Sequence, residues 1–163
     1  MKIKVRKVAE DDWKAIKKIY NEWRAEGAYA VPEHLLSDKD AKRNAKFLAE
    51  HGINLVAEVN NKVVGLLEST QGRLPKTAHT VDIGQLNVSI EYRRFGIGKK
   101  LVQSLLDISR KKKINVLFLY VAANNRPAIR FYEKLGFKTT GYIKNQLRFG
   151  NKYVNNNIMC KTL

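Results

Sequence analysis

Arg93, Gly96 and Gly98, in the run Tyr92-Arg93-Arg94-Phe95-Gly96-Ile97-Gly98-Lys99-Lys100, set two closely spaced glycines among cations. That combination can hold a phosphate. Glycine lets a bulky anion come close to the main chain, and Arg93, Arg94, Lys99 and Lys100 surround it with positive charge. Upstream, Leu86, Val88 and Ile90 alternate with polar residues as in a half-buried strand, while downstream Leu101, Val102, Leu105, Leu106 and Ile108 recur at helical spacing. The stretch reads as strand, tight turn and helix, with the first N–H groups of the helix pointing beyond the strand. Two other phosphate loops fail on particular residues. A G-x-G-x-x-G fingerprint needs glycine where Leu101 stands, and a P-loop needs glycine at Arg93 and Ser or Thr at Lys100. What remains is R-x-x-G-x-G, for which a basic turn capping an ordinary helix is the plain alternative.

A second distinctive run is Asn125-Arg126-Pro127-Ala128-Ile129-Arg130-Phe131-Tyr132-Glu133-Lys134-Leu135-Gly136-Phe137. It resembles the pattern N-x-x-A-I-x-F-Y-E-K-x-G-F of the GNAT superfamily of N-acetyltransferases. The turn is similar to that family's acetyl-CoA pyrophosphate loop, which reads Gln or Arg, two residues, Gly, any residue, then Gly or Ala. Arg93, Gly96 and Gly98 fill its fixed positions, whereas Arg94 stands where the family frequently has glycine. The two motifs cover the C-terminal half, in the right order and with strand and helix signals between them. The resemblance implies an α/β (α+β) fold: a mixed, mostly antiparallel sheet of six or seven strands with about four helices. Two adjacent parallel strands in it splay apart to admit the pantetheine arm.

The resemblance also implies a reaction, acetyl transfer from the cosubstrate acetyl-CoA directly to a primary amine. Main-chain groups of the Leu86-Asn87-Val88 strand would bind the pantetheine amide and acetyl carbonyl like an added strand. Amides of Arg93, Arg94, Phe95, Gly96, Ile97, Gly98 and Lys99 would take the pyrophosphate, and Asn125 would hydrogen-bond CoA, a role compatible with capping the helix before Pro127. Tyr132 is the implied general acid. A phenol of pKa ~10 can protonate a departing thiolate whose conjugate acid has pKa ~8.5. For the general base, Asp82 stands near the offset from Gly98 where some members place a glutamate, and Glu68 on the preceding strand is the second candidate. Either also reads as a solvent-facing strand carboxylate, a water chain is another route, and His34 and His79 are looser candidates. No cluster suggests a metal.

These residues need a scaffold, and the chain has enough apolar content for one. At 163 residues and 44% hydrophobic it suits a single domain over 1–163 with one core. Residues 2 to 8 alternate as a strand, and Trp13, Ile16, Ile19, Tyr20 and Trp23 form a helical stripe whose first turn holds Asp11 and Asp12. Trp13 and Ile16 read as core. A second helix starts at the cap Ser37 and ends by Gly52. Strands over 53 to 59 and 62 to 70 meet at Asn60-Asn61, a tight-hairpin dipeptide. A strand over 81 to 88 feeds the turn, and 115 to 121 is a buried strand parallel to it because a helix separates the two. After the short helix from Pro127, two strands hinge near Phe149-Gly150-Asn151. Cys160 reads as a buried strand residue.

Lys plus Arg at 31 against Asp plus Glu at 15 gives a formal charge of +16. A polyanionic cosubstrate and a solvated basic surface account for it, and without a recognition-helix pattern nucleic acid is not expected as a partner. No apolar run nears the ~20 residues of a bilayer span and no signal segment is evident, so the cytoplasm is expected and no membrane. The irregular stretch with Tyr29, Pro32, Glu33 and His34 is the expected acceptor rim. The tail resembles a subgroup acting on amino acids, polyamines and protein N-termini, with Gly150-Asn151 reversed and Asn155 in place of an Asp. The expected partner is a small-molecule or peptide amine, and since a basic enzyme binds a polyamine poorly unless Glu22, Glu26 or Glu33 makes the cleft acidic, an amino-acid-like or peptide acceptor is favoured. An edge strand in the tail could pair across a homodimer. The competing class is a non-catalytic CoA binder or a basic nucleic-acid or ribosome-associated module of the same shape.

Overall fold

The computed structural model describes residues 1–26 and 35–163. In chain order these form β1 (Ile3–Lys7), α1 (Trp13–Ala25), α2 (Asp38–Glu50), β2 (Leu55–Val59), β3 (Lys62–Gln71), β4 (Thr80–Val88), α3 (Ile97–Lys111), β5 (Val116–Ala122), α4 (Arg126–Lys134), β6 (Lys138–Phe149) and β7 (Lys152–Thr162). The strands hydrogen-bond in the order β1-β2-β3-β4-β5-β7-β6. The β1–β2, β2–β3, β5–β7 and β6–β7 pairs are antiparallel and β4–β5 is parallel, the mixed seven-stranded sheet with four helices that the motifs imply. Two compact units divide the chain, Met1–Thr70 with Gln85–Ile108 and Gln71–Gly84 with Ser109–Leu163.

In the first unit the stripe Ile16, Ile19 and Tyr20 of α1 is buried with Val8, Ala45, Leu48, Val56 and Leu66, while Trp13 only packs against this cluster half-buried. Asn60 and Asn61 both have positive φ, 49° and 60°, the conformation a two-residue hairpin with right-handed strand twist demands. Ser37 caps α2 by accepting from the Asp40 N–H at 3.1 Å. Helix α3 lies directly against β3 because Gly65 has no side chain. A Cβ there would meet Ile97 at 3.0 Å, Leu101 at 3.2 Å and the Ala57 Cβ at 3.3 Å. Ile97 and Leu101 are fully buried, so the first turns of α3 are fixed to the sheet.

Asp12 differs from its sequence reading. Rather than sitting in the first turn of α1 to favour the helix dipole, it ends a single 3₁₀ turn, Glu10–Asp12, and its carboxylate is buried. There it accepts from Arg6 Nη1 and Nη2 at 2.7 and 2.8 Å and from the Ala9 N–H at 2.8 Å, while Arg6 Nε donates to Glu58 at 2.7 Å. The physical reason is the neighbouring strand: a guanidinium projecting from β1 offers more than a helix dipole can.

In the second unit β4 and β5 pair from Thr80↔Val116 to Ile83↔Leu119. Strand β7 lies between β5 and β6, pairing Phe118↔Cys160 on one side and Lys138↔Cys160 on the other. Leu117, Leu119, Ile129, Phe137 and Met159 are buried, whereas β6 at the sheet edge is mostly exposed and bulged near Thr139/Gly141 and Ile143/Leu147. Cys160 is only half-buried, its Sγ accepting from Thr140 Oγ1 at 3.2 Å.

Burial pushes the Asp12 carboxyl up, but the Arg6 hydrogen bonds, the Ala9 N–H and the Arg6 charge outweigh it and hold the group below its ordinary 3.8. A carboxyl depressed on folding stabilises the fold above its unfolded pKa and loses that contribution as pH falls through the folded one. Asp12→Asn should therefore cost about 2–3 kcal/mol near neutral pH, with the gap to wild type closing as the pH drops below 3.8, measured by thermal unfolding across pH.

Candidate functional site

The basic turn is built from both of its ends. Where β4 stops, the Ser89 N–H donates to Val64 O at 2.9 Å, and the Tyr92 and Arg93 N–H groups close a single 3₁₀ turn onto Ser89 O and Ile90 O at 2.9 and 3.2 Å. Arg94 and Gly96 then take positive φ, 67° and 80°. The first helical bond of α3 runs from Lys100 N–H to Gly96 O at 3.0 Å. Between those anchors the N–H groups of Arg94, Phe95, Gly96, Ile97, Gly98 and Lys99 take no main-chain acceptor among the described residues. A Cβ built on Gly96 would meet nothing within 4 Å, so open space lies next to these donors. Unsatisfied amides beside open space, with exposed Lys99 and Lys100 close by in the chain, fit a phosphate-bearing group. The positive φ at Arg94 also explains why glycine suits that position, since a Cβ in the left-handed region costs about 1–2 kcal/mol.

One reading of this region is corrected. Arg93 does not add its charge to the open space: Nη1 and Nη2 hold both oxygens of Glu26 at 2.7 and 2.5 Å, and Nε donates to Val88 O at 3.1 Å. Nor do Glu22 and Glu26 supply a free acidic cleft, since Glu22 accepts from the Ile90 N–H at 3.2 Å and faces Lys18 at 3.6 Å. On β4, Leu86 and Val88 are half-buried, while Asn87 is buried with Nδ2 on Gln85 at 3.3 Å and Oδ1 without a partner among the described residues.

The same unit holds Glu68, which is not the solvent-facing carboxylate that strand position alone allows. It is half-buried on β3 and accepts a hydrogen bond from the Tyr20 hydroxyl of α1, which itself accepts from Asn44 Nδ2 of α2 at 3.3 Å. Burial pushes the Glu68 carboxyl up, and the Tyr20 bond offsets this only in part. Burial first, then the Glu68 charge, pushes the Tyr20 phenol up, so it stays protonated and donating. Sequence pattern alone places Tyr20 only in an apolar stripe. Its hydroxyl within that stripe was a signal, but its partner lies 48 residues away.

The second unit carries the other candidates. Asp82, paired with Phe118 on β5, is half-buried with Oδ1 enclosed and unpartnered among the described residues; burial pushes its pKa up. Tyr132 lies on α4, 8% exposed, with ring-edge contacts to Phe131 and Phe137 at centroid distances of 5.0 and 5.5 Å. Asn125 caps α4, its side-chain oxygen accepting from the Ala128 N–H at 3.2 Å. The side chain of His79 is exposed. Tyr29, Pro32, Glu33 and His34, the expected acceptor rim, fall outside the described residues.

The family model described as acetyltransferase (GNAT) family matches residues 13–137. The catalytic subunit of an N-terminal acetyltransferase B complex from Arabidopsis thaliana is 42% identical over 87 residues, covering 53% of this chain and 45% of that protein. The chain spans about half the length of the curated relatives it matches. A ribosomal-protein-alanine N-acetyltransferase from Brucella melitensis superposes with a TM-score of 0.84 at 25% identity, covering 98% of this chain and 99% of that one. The yncA structure from Salmonella typhimurium, solved with its cofactor acetyl-CoA, shares the fold with a TM-score of 0.84 at 21% identity over 99% and 94% of the two chains. No helix among the described residues is long and apolar enough to cross a membrane.

Gly96→Ala tests the open turn. The new Cβ has room but the wrong φ, so stability should fall by about 1–2 kcal/mol. Acetyl-CoA binding followed by calorimetry should weaken by at least about tenfold, because the methyl projects beside the donor amides.

Proposed function

Since the chain belongs to the acetyltransferase (GNAT) family, we propose that it is an acetyl-CoA-dependent N-acetyltransferase, one domain over residues 1–163, acting on a peptide or amino-acid-like primary amine. The observation that carries this reading is the row of amides from Arg94 to Lys99, without a main-chain acceptor among the described residues, beside the open space at Gly96. Those amides and Lys99 would hold the pyrophosphate, main-chain groups of Leu86 and Val88 would line up the pantetheine, and the Asn125 side-chain NH₂ would add a hydrogen bond. Acetyl-CoA supplies an activated thioester, so the chain needs no nucleophile of its own.

What its residues must do is manage protons and charge. An ammonium acceptor must lose a proton before it attacks, and we put Glu68 first for that role. Burial raises its proton affinity, and the Tyr20 hydroxyl fixes one carboxylate oxygen so that the other is presented in a set direction. Asp82, also raised by burial, is the second candidate. The Val88 N–H would meet the developing oxyanion, and the Tyr132 hydroxyl would return a proton to the departing sulfur. The engaged Glu22 and Glu26 argue against a polycationic acceptor, and the relatives that act on protein N-termini or a ribosomal-protein alanine support a peptide amine. We place the enzyme in the cytoplasm, without nucleic-acid or membrane partners, with the exposed β6 edge open to a second copy.

Thiol release from acetyl-CoA should appear with short peptides, and Tyr132→Phe should lower turnover by about 10²-fold while acetyl-CoA still binds. Binding without turnover on any amine would instead favour a non-catalytic CoA module. In kcat/KM against pH, activity should rise as Glu68 deprotonates, with a midpoint above the ordinary 4.5 because the shift is upward. Glu68→Gln should remove that limb and Asp82→Asn should leave it; the reverse pattern would move the base to Asp82.

A further inference from the structure

The cation at the fixed first position of the turn is already neutralised, and its neutraliser belongs to α1. Glu26 is the C-cap residue of α1, and one helical turn earlier Glu22 lies on the same face. Glu22 takes the Ile90 N–H, Glu26 takes one N–H from each terminal nitrogen of Arg93, and Arg93 Nε fixes the carbonyl of Val88. The short segment from Val88 to Arg93 joins the end of β4 to the open amides, and it is thus tied to one helix at Ile90 and at Arg93. A carboxylate beside an arriving phosphate is otherwise unfavourable, because like charges repel. Paired in a planar two-bond fork, Glu26 and Arg93 present no net charge to it.

We propose that Arg93 and Glu26 form a neutral positioning pair that sets the turn from α1, so that Arg93 acts on acetyl-CoA through the main-chain amides and not as a phosphate cation. The proposal rests on the acetyltransferase reading and goes beyond it. It assigns a role to Glu26, and it makes the end of α1, which leads into residues 27–34, part of the same rigid support as the cosubstrate turn. Lys99 and Lys100, which have no ion-pair partner among the described residues, are left to answer the phosphate charge.

The two roles predict opposite signs for one substitution. If Arg93 bound phosphate directly, Glu26→Gln would release a cation and remove a repelling anion, leaving acetyl-CoA affinity unchanged or tighter. As a positioning pair, Glu26→Gln should weaken acetyl-CoA about fivefold, Arg93→Gln should weaken it as much, and the double variant should be no worse than either single. Arg93→Lys should behave like Arg93→Gln, since one ammonium cannot span both Glu26 oxygens and the Val88 carbonyl. Calorimetric titration of acetyl-CoA into each variant reads these changes, with thermal unfolding to show that all are folded. Lys99→Gln, combined with Arg93→Gln, should add its loss in full. A tighter or unaltered Glu26→Gln, additive losses in the Arg93/Glu26 pair, or retained affinity in Arg93→Lys would each overturn the pair. Failure of wild type to bind acetyl-CoA would overturn the enzymatic reading as well, and is recognised before any variant is made.

Discussion

A helix that starts with unpaired N–H groups carries a cost unless something outside it takes them up, and that constraint organises the first unit. The donors from Arg94 to Lys99 can be left open only if the chain on either side is held firmly enough not to collapse onto them. Gly65 does this from below by letting Ile97 and Leu101 sit against β3. The bond from Ser89 N–H to Val64 O does it at the strand end, and the carboxylates of α1 do it from the side. Each support is a different kind of interaction: close packing, a main-chain hydrogen bond and an ion pair. A ligand with several acceptor oxygens then meets donors already in place, and little ordering remains to oppose binding.

The electrical layout follows a related logic. The chain carries a large cationic excess, yet many of its carboxylates are bound to partners: Asp12 and Glu58 to Arg6, Asp38 to Lys17, Asp40 to Arg43, Glu50 to Lys46 and Glu26 to Arg93. The exposed pairs among these contribute little to stability, because water and salt screen them. Their larger effect is on the field, because they remove anions that would oppose an incoming phosphate and leave the surplus lysines to draw it in. Glu68 and Asp82 stand apart from this pattern, since neither has an ion-pair partner among the described residues and burial raises the proton affinity of both. Carboxylates kept from cations are the ones suited to move protons.

Much of this was legible in the residues. Asn60-Asn61, Ser37, Pro127 and the alternation through Val88 are local signals, and the elements they mark formed within a residue or two of the expected bounds. The turn and the α4 run were legible because their chemistry is carried by neighbours in sequence. What could not be read was any property set by a distant partner. The fork of Arg93 closes on a residue 67 positions away, Tyr20 reaches Glu68 across 48, and Arg6 meets Glu58 across 52. In each case the residue type is evident from the sequence and the partner is not. The pairing that decides its function depends on which helix end lies over which strand.

The position of β7 between β5 and β6 has a consequence for how the protein is made. Both of its neighbours are synthesised before it, so as the chain emerges, β5 and β6 have no correct partner on the sides that β7 will occupy. Strand β5 carries Leu117 and Leu119, which end up fully enclosed, and at ribosomal speed its bare edge waits on the order of seconds for Lys152–Thr162 to arrive. A nascent chain in that interval offers an apolar strand to any other strand nearby. The bulges and lysines of β6 then gain a second reading, as features that discourage that early strand from pairing with the wrong edge before β7 inserts.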